Sequence, residues 1–219
     1  MTVHAAGTET TVLVFAKAPE PGVAKTRLIP LLGAAGAASL QRVLTERALA
    51  TARAADLGPV ELWCTPSATH PLLARYATQF GVRALTQCDG DLGDRMLHAA
   101  TSALTASSRV IIMGTDCPAM TASMLRDAAS WLDRSHQAVL VPAQDGGYVL
   151  LGLGTCDAHL FAGIAWGSNQ VITSTRQRLT ALGWGWHELP PSWDVDRPAD
   201  YERLLASGLI PDLAHWLNP

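Results

Sequence analysis

The sequence predicts an α/β fold, a three-layer α/β/α sandwich with helices around a mainly parallel, Rossmann-like mixed sheet. Three observations carry that expectation. Short runs such as Thr11–Ala16 and Arg109–Gly114 are β-branched or apolar at consecutive positions, the pattern of strands buried on both faces. Stretches of helical spacing separate them, so strand and helix alternate along most of the chain. Charged residues make up only 16% of the 219, against ~25% in an ordinary globular protein, which excludes a disordered, solvating chain.

The elements follow in order. Thr11–Ala16 is the first strand, and Pro19, Pro21 and Gly22 break the chain into a loop after it. Ala34–Ala55 is alanine-rich with leucines at helical spacing, and Gly58-Pro59 ends it. Val60–Cys64 is a second strand, Pro71–Phe80 a short helix, Val82–Thr86 a third strand, and Asp91–Leu104 a further helix behind an Asp89-Gly90 turn. Arg109–Gly114 is the strongest strand. A helix from about Thr121 to Leu132 follows, with Thr121 suited to cap it. Gln137–Pro142 and Tyr148–Leu153 are strands, Val171–Leu182 is helical, Trp184–Leu189 is strand-like, and Pro198–Ala206 is the last helix. Met1–Thr10 is small and polar and reads as a short flexible tail, which leaves one domain over residues 11–219.

Composition excludes several function classes. The net charge of −3 argues against a protein that grips nucleic acid by charge. No uncharged apolar run reaches the ~20 residues of a membrane span, and the N-terminus lacks the basic and apolar regions of a signal peptide. Cys64, Cys88, Cys117 and Cys156 are widely spaced, without the Cys/His clustering of a zinc site. They read as structural thiols of a reducing cytoplasm.

Ligands of open parallel sheets bind outside the carboxyl ends of the strands, so the residues just after each strand matter most. Behind the first strand, Lys17, Lys25 and Arg27 lie in a Gly/Pro loop that also carries Gly22 and Thr26. Such a loop can present N–H groups to a phosphate while its cations neutralise the charge. It is neither a Walker A nor a G-x-G-x-x-G loop. Behind the strongest strand stands Asp116, a carboxylate suited to Mg²⁺ or Mn²⁺, or alternatively to capping the next helix. Asp145-Gly146-Gly147-Tyr148 combines a candidate base or metal partner with glycines that allow a ligand close, and Asp-Gly is equally a turn signal. Asp194 and Asp196 share a face if their segment is extended, and two carboxylates on one face invite a cation. Asp196 has a competing role as cap of the helix that starts at Pro198. The Gln87–Met96 junction, with Gly93 and Arg95, could hold a base or ribose, or be a surface turn with a helix cap.

Five segments occur in the order Phe15-Ala-Lys-x-Pro-x-Pro-Gly-x-x-Lys-Thr-Arg-Leu28, Gly90-Asp-Leu-Gly-x-Arg-Met96, Gly114-Thr-Asp-x-Pro118, Gln144-Asp-Gly-Gly-Tyr148 and Asp194-Val-Asp-x-Pro-x-Asp200. Together, from about Val12 to Leu205, they resemble a bacterial family of glycosyltransferases with the GT-A, nucleotide-diphospho-sugar transferase fold. That family is similar to molybdenum-cofactor and phospholactate guanylyltransferases. The resemblance implies that Lys17, Gly22, Lys25 and Arg27, with Thr26 between the last two, lie on nucleotide phosphates. It places Gly93 and Arg95 near the base. Asp116 would be the first metal ligand, and Asp196 with Asp194 the second. Asp145, Gly146, Gly147, Tyr148 and Trp166 would border the acceptor pocket.

The expected activity is therefore a metal-dependent transferase that takes a nucleotide-diphospho-sugar donor and a hydroxyl acceptor. Lys25 and Asp116 would stabilise the leaving group and Asp145 would serve as base. The alternative is a nucleotidyltransferase that joins an NTP to its acceptor and releases pyrophosphate. A nucleotide-binding regulator without catalysis is a third class. The first loop carries prolines where well-characterised nucleotidyltransferases carry glycines, so the transferred group stays open, as do the base, sugar, acceptor and oligomeric state.

Overall fold

The computed structural model describes residues 9–134 and 136–211. The tail expected over residues 1–10 lies outside them up to residue 8, and Thr10 already opens the first strand. Among the described residues seven strands form one sheet: β1 (Thr10–Lys17), β2 (Val60–Thr65), β3 (Arg83–Thr86), β4 (Arg109–Gly114), β5 (Ala138–Pro142), β6 (Tyr148–Leu153) and β7 (Trp186–Glu188). Their spatial order is β3-β2-β1-β4-β6-β5-β7. β6 runs antiparallel to both β4 and β5, and every other pairing is parallel. β1 is central, with Val12 opposite Val60 on one side and Ile111 on the other.

Six α-helices cover the sheet: α1 (Ile29–Ala55), α2 (Pro71–Phe80), α3 (Leu92–Leu104), α4 (Ala122–Asp133), α5 (Val171–Ala181) and α6 (Pro198–Ser207). Alternation along each strand assigns residues to the two faces. Val12, Val14, Ile111 and Met113 pack under Leu49 of α1, Tyr76 of α2 and Leu125 of α4. Leu13, Trp63, Val110 and Ile112 pack under Met96 of α3 and Leu179 of α5. The expected three layers are present. Apolar burial on both faces is why these strands read as unbroken apolar runs.

Two features differ from expectation. Ahead of the expected helix stands a short added turn from Ile29, which Pro30 fits; Gly33, at φ +69° and ψ 167°, is non-helical and separates it from the continuous helix that runs from Ala34 to Ala55 as expected. By length and composition Thr26–Ala55 could cross a membrane, yet Leu40, Leu44 and Leu49 are fully buried in the protein. Trp184–Leu189 shrinks to the three residues of β7, an edge strand paired on one side only.

A smaller apolar cluster positions the site. Leu28, Leu40 and Leu44 pack against Trp193, Val195, Tyr201 and Leu204. It fastens the segment before α6 to the loop that follows β1.

Candidate active site

All strands except β6 run the same way, so the segments behind β1 and β4, the β5–β6 turn and the segment behind β7 reach one end of the sheet. The loop behind β1 is stitched to itself. The N–H groups of Val23 and Ala24 donate to the Glu20 carbonyl, and the Lys17 ammonium donates to the Val23 carbonyl at 3.2 Å. Lys25 then adopts a left-handed backbone, φ +48° and ψ 44°, ahead of a 3-10 turn over Thr26–Leu28. A non-glycine residue held there costs roughly 1 kcal/mol or more, and surrounding contacts must fix it. Those contacts are visible. The Lys25 side chain is 3% exposed, its ammonium lies 2.8 Å from Asp116 Oδ1, and it also donates to the Val195 carbonyl.

Asp116 follows the tip of β4. Its Oδ1 receives Lys25, the Gln41 amide at 3.2 Å and the Thr115 hydroxyl at 3.4 Å. Its carbonyl accepts from the Val195 N–H at 2.9 Å. Capping of α4 falls to Thr121, whose hydroxyl accepts from the Met124 N–H, so Asp116 is released from that alternative role.

Val195 is fully buried while Asp194 and Asp196 are half-buried on either side of it, as period-two alternation requires. The carboxylate that serves the start of α6 belongs to Asp200. It accepts from the N–H groups of Asp196 and Arg197, at 3.1 and 2.7 Å. Asp196 thereby stays available to pair with the exposed guanidinium of Arg27. Burial, reinforced by the charges of Asp145 and Asp116, pushes the Asp194 carboxyl up to about 6.

At the β5–β6 turn, Asp145 Oδ1 accepts from the Gly147 N–H at 2.9 Å. The turn role is realised, and among the described residues Asp145 Oδ2 receives no hydrogen bond. Gly146, at φ +94°, lies so near the Asn169 backbone that a Cβ would overlap it. A cleft of about 460 Å³ opens between these segments, lined by Arg27, Gln144, Asp145, Asp194, Asp196 and Arg197 among others.

The remaining candidates lie elsewhere. Gly93 and Trp166, expected on the base and acceptor sides, touch each other: a Cβ on Gly93 would fall 2.7 Å from the indole nitrogen. That nitrogen and Arg95 Nε are buried without hydrogen-bond partners among the described residues. The hydroxyl of Tyr148 turns toward Met96 of α3, and burial raises its pKa. Of the candidates, Arg27, Asp145, Asp194 and Asp196 line this cleft; Lys25, Asp116, Gly146 and Gly147 are outside its lining, as are Lys17, Gly22, Thr26, Tyr148, Trp166, Gly93 and Arg95. Sequence reasoning missed Gln41 and Arg203. Gln41 is 5% exposed in α1, and an amide among buried alanines and leucines was its signal. Arg203 binds the Gln144 amide oxygen at 2.6 Å and stacks on Trp193, a pairing across 59 residues that no local pattern reveals.

Among the described residues, no three His, Cys, Asp or Glu side chains gather into a metal cage. Mg²⁺ and Mn²⁺ do not demand one, since such hard cations take one or two carboxylates and complete their shell with substrate phosphate and water. Asp116 Oδ2 and the Asp194 carboxylate have no hydrogen-bond donor from another residue among the described ones, and each lies within the other's field. The donor set fits such an ion.

Comparison with known proteins places the molecule. A family model described as "Uncharacterized protein conserved in bacteria (DUF2064)" matches residues 48–168. No curated protein matches. A solved structure from Desulfovibrio desulfuricans, provisionally named a nucleotide-diphospho-sugar transferase, is 29% identical with a TM-score of 0.83, covering 93% of this chain and 89% of its own. A cytidylyltransferase from Leptospira borgpetersenii has a TM-score of 0.59 at 14% identity, over 90% of this chain and 84% of its own. Glucosyl-3-phosphoglycerate synthase from Mycobacterium tuberculosis, solved with Mn²⁺, UDP and glucosyl-3-phosphoglycerate, has 0.54 at 13%, over 97% and 80%. The last two share the fold, which is that of nucleotide-diphospho-sugar transferases.

Proposed function

The chain belongs to the bacterial family DUF2064 and is a transferase; from that premise we propose that it transfers a sugar from a nucleotide-diphospho-sugar to a hydroxyl acceptor with help from Mg²⁺ or Mn²⁺. The observation that carries this reading is the convergence of a cationic loop with three carboxylates. Lys25 and Arg27 meet Asp116, Asp194 and Asp196 at one end of the sheet, beside an open cleft.

In this reading residues 11–219 act as one domain in the cytoplasm. Arg27, exposed and paired only with half-buried Asp196, exchanges that partner for a diphosphate oxygen. Lys25 holds positive charge beside Asp116, where charge develops on the leaving diphosphate. Asp116 and Asp194, with Asp196, hold the divalent ion, which when bound supplies further positive charge to the diphosphate. Asp145 Oδ2 accepts the proton of the acceptor hydroxyl. Gly146, Gly147 and Gln144 shape the acceptor side, and the Gly93–Trp166 contact with Arg95 borders the base.

One observation favours a second reading, nucleotidyl transfer of the guanylyltransferase type. The buried Lys25 ammonium fixes a cation at the Asp116 carboxylate, a placement that serves a reacting phosphorus as well as a departing diphosphate. Calorimetric titration with UDP-, GDP-, CDP- and dTDP-sugars in the presence of Mn²⁺ is expected to give saturable heat with one of them. Silence from all four ends the first reading. Pyrophosphate release from NTPs with phosphorylated acceptors would establish the second.

A further inference from the structure

Gln41 lies in the middle of α1, 74 and 75 positions from the residues it holds. Its side-chain nitrogen has two hydrogens and two acceptors. It donates to the Thr115 hydroxyl at 2.8 Å and to Asp116 Oδ1 at 3.2 Å. Gln41 is 5% exposed and Thr115 equally so, which shields both bonds from water and gives them more weight than surface contacts. α1 grips the same loop a second time: Arg47, six residues on, donates to the Pro118 carbonyl at 2.7 Å.

The consequence falls on Asp116. Its Oδ1 collects Lys25, Gln41 and the Thr115 hydroxyl, while Oδ2 takes no hydrogen bond from the described residues. A lone lysine would leave the carboxylate free to rotate, since an ammonium is a point charge without a preferred plane. A planar amide fixed to both the neighbouring hydroxyl and Oδ1 removes that freedom.

We propose that Gln41 is a positioning residue: it orients the Asp116 carboxylate so that Oδ1 stays on Lys25 and Oδ2 alone is offered to a divalent cation. The inference rests on the reading of Asp116 as a metal ligand. Partners behind a metal ligand set its orientation, and losing one typically weakens metal binding by about 10–100-fold.

The test is Mn²⁺ binding by the full chain, with free Mn²⁺ followed by electron paramagnetic resonance and no nucleotide present. Gln41→Met keeps the length of the side chain and removes both donors. It is expected to weaken Mn²⁺ binding by about tenfold, with the circular dichroism of the parent and a metal-free Tm lowered by the loss of two buried hydrogen bonds. Thr115→Ala serves if that variant does not fold. It removes one of the two anchors of the amide and is expected to weaken binding by about threefold, less than the loss of a whole partner. Asp116→Asn separates the inference from its premise. If Asp116→Asn abolishes Mn²⁺ binding while Gln41→Met and Thr115→Ala bind as the parent does, the positioning role is overturned and the ligand stands. If Asp116→Asn itself binds Mn²⁺ as the parent does, the premise falls and takes the proposal with it.

Discussion

Two ion pairs leave the same loop two residues apart, and they are built in opposite ways. Lys25 is inside, 3% exposed, on a left-handed backbone, with a carboxylate and a carbonyl as partners. Arg27 is outside, 62% exposed, with one partner that is 38% exposed. The Lys25 pair is buried at its cation end alone, Asp116 being 46% exposed, so breaking it is costly chiefly where the ammonium is the survivor left in low dielectric. An exposed pair contributes little and exchanges readily. The loop therefore combines a buried cation that belongs to the architecture with an exposed one, which in the proposed reading exchanges its partner for a phosphate.

The sharpest way to break that contrast is from the acidic side. Asp116→Ala should abolish Mn²⁺-dependent nucleotide binding, a loss beyond about 100-fold, and should also lower the Tm, because it leaves the buried Lys25 ammonium with the Val195 carbonyl alone. Isothermal titration with Mn²⁺ and a nucleotide checks it, and unchanged binding would remove Asp116 from the ligand set. Next comes Lys25→Met, which takes from Asp116 its charged partner, leaving Gln41 and Thr115 on Oδ1, and leaves the Val195 carbonyl without its side-chain donor. Half-exposure of Asp116 softens the penalty to roughly 2–3 kcal/mol, or a Tm lower by about 6–9 °C.

Acidity probes the same centre. The Asp194 carboxyl, held up to about 6, must be ionised to accept a cation. Mn²⁺ affinity should fall roughly tenfold per pH unit below that value, since one proton competes for the site. Without metal the sign reverses for stability. Between the ordinary carboxylate range and about 6 the folded chain binds the extra proton, so stability declines as pH rises through that window and is level above it. Asp194→Asn should flatten both profiles. The smallest effect on stability belongs to Arg27→Ala, below about 1 kcal/mol. Its loss should appear in nucleotide affinity instead, at about tenfold, the worth of one charge-assisted hydrogen bond. A Tm drop as large as that of Lys25→Met would erase the distinction between the two pairs.

Much of the fold was legible because its information is local. Strands buried on both faces read as apolar runs, Thr121 caps α4 as a threonine at that spacing should, and Asp194 and Asp196 flank a buried Val195 as an extended backbone demands. The site was legible in its residue types and only partly in its partners. Asp196 carried two roles in the sequence, and Asp200 settles the matter by taking the N–H groups at the start of α6. Gly93 was a base-side residue by resemblance, whereas the structure also gives it a steric reason, the indole of Trp166 against its Cα. Gln41 and Arg203 lay beyond reach because their roles depend on contacts 59 to 75 residues away, and no periodicity encodes such a distance.

The peptide groups of Val195 have one further consequence. Its N–H is donated to Asp116 and its carbonyl receives Lys25, so the first loop, the middle of the sheet and the stretch before α6 meet at one residue. Lys25 and Val195 are 170 positions apart. During synthesis the first four strands can emerge and pair well before that residue leaves the ribosome, because chains grow at about 5–20 residues per second. A nascent chain can hold most of the sheet and still have its buried lysine without one of its two partners. The candidate site is thus completed late, and a chain truncated before residue 195 would lack a partner of its buried lysine.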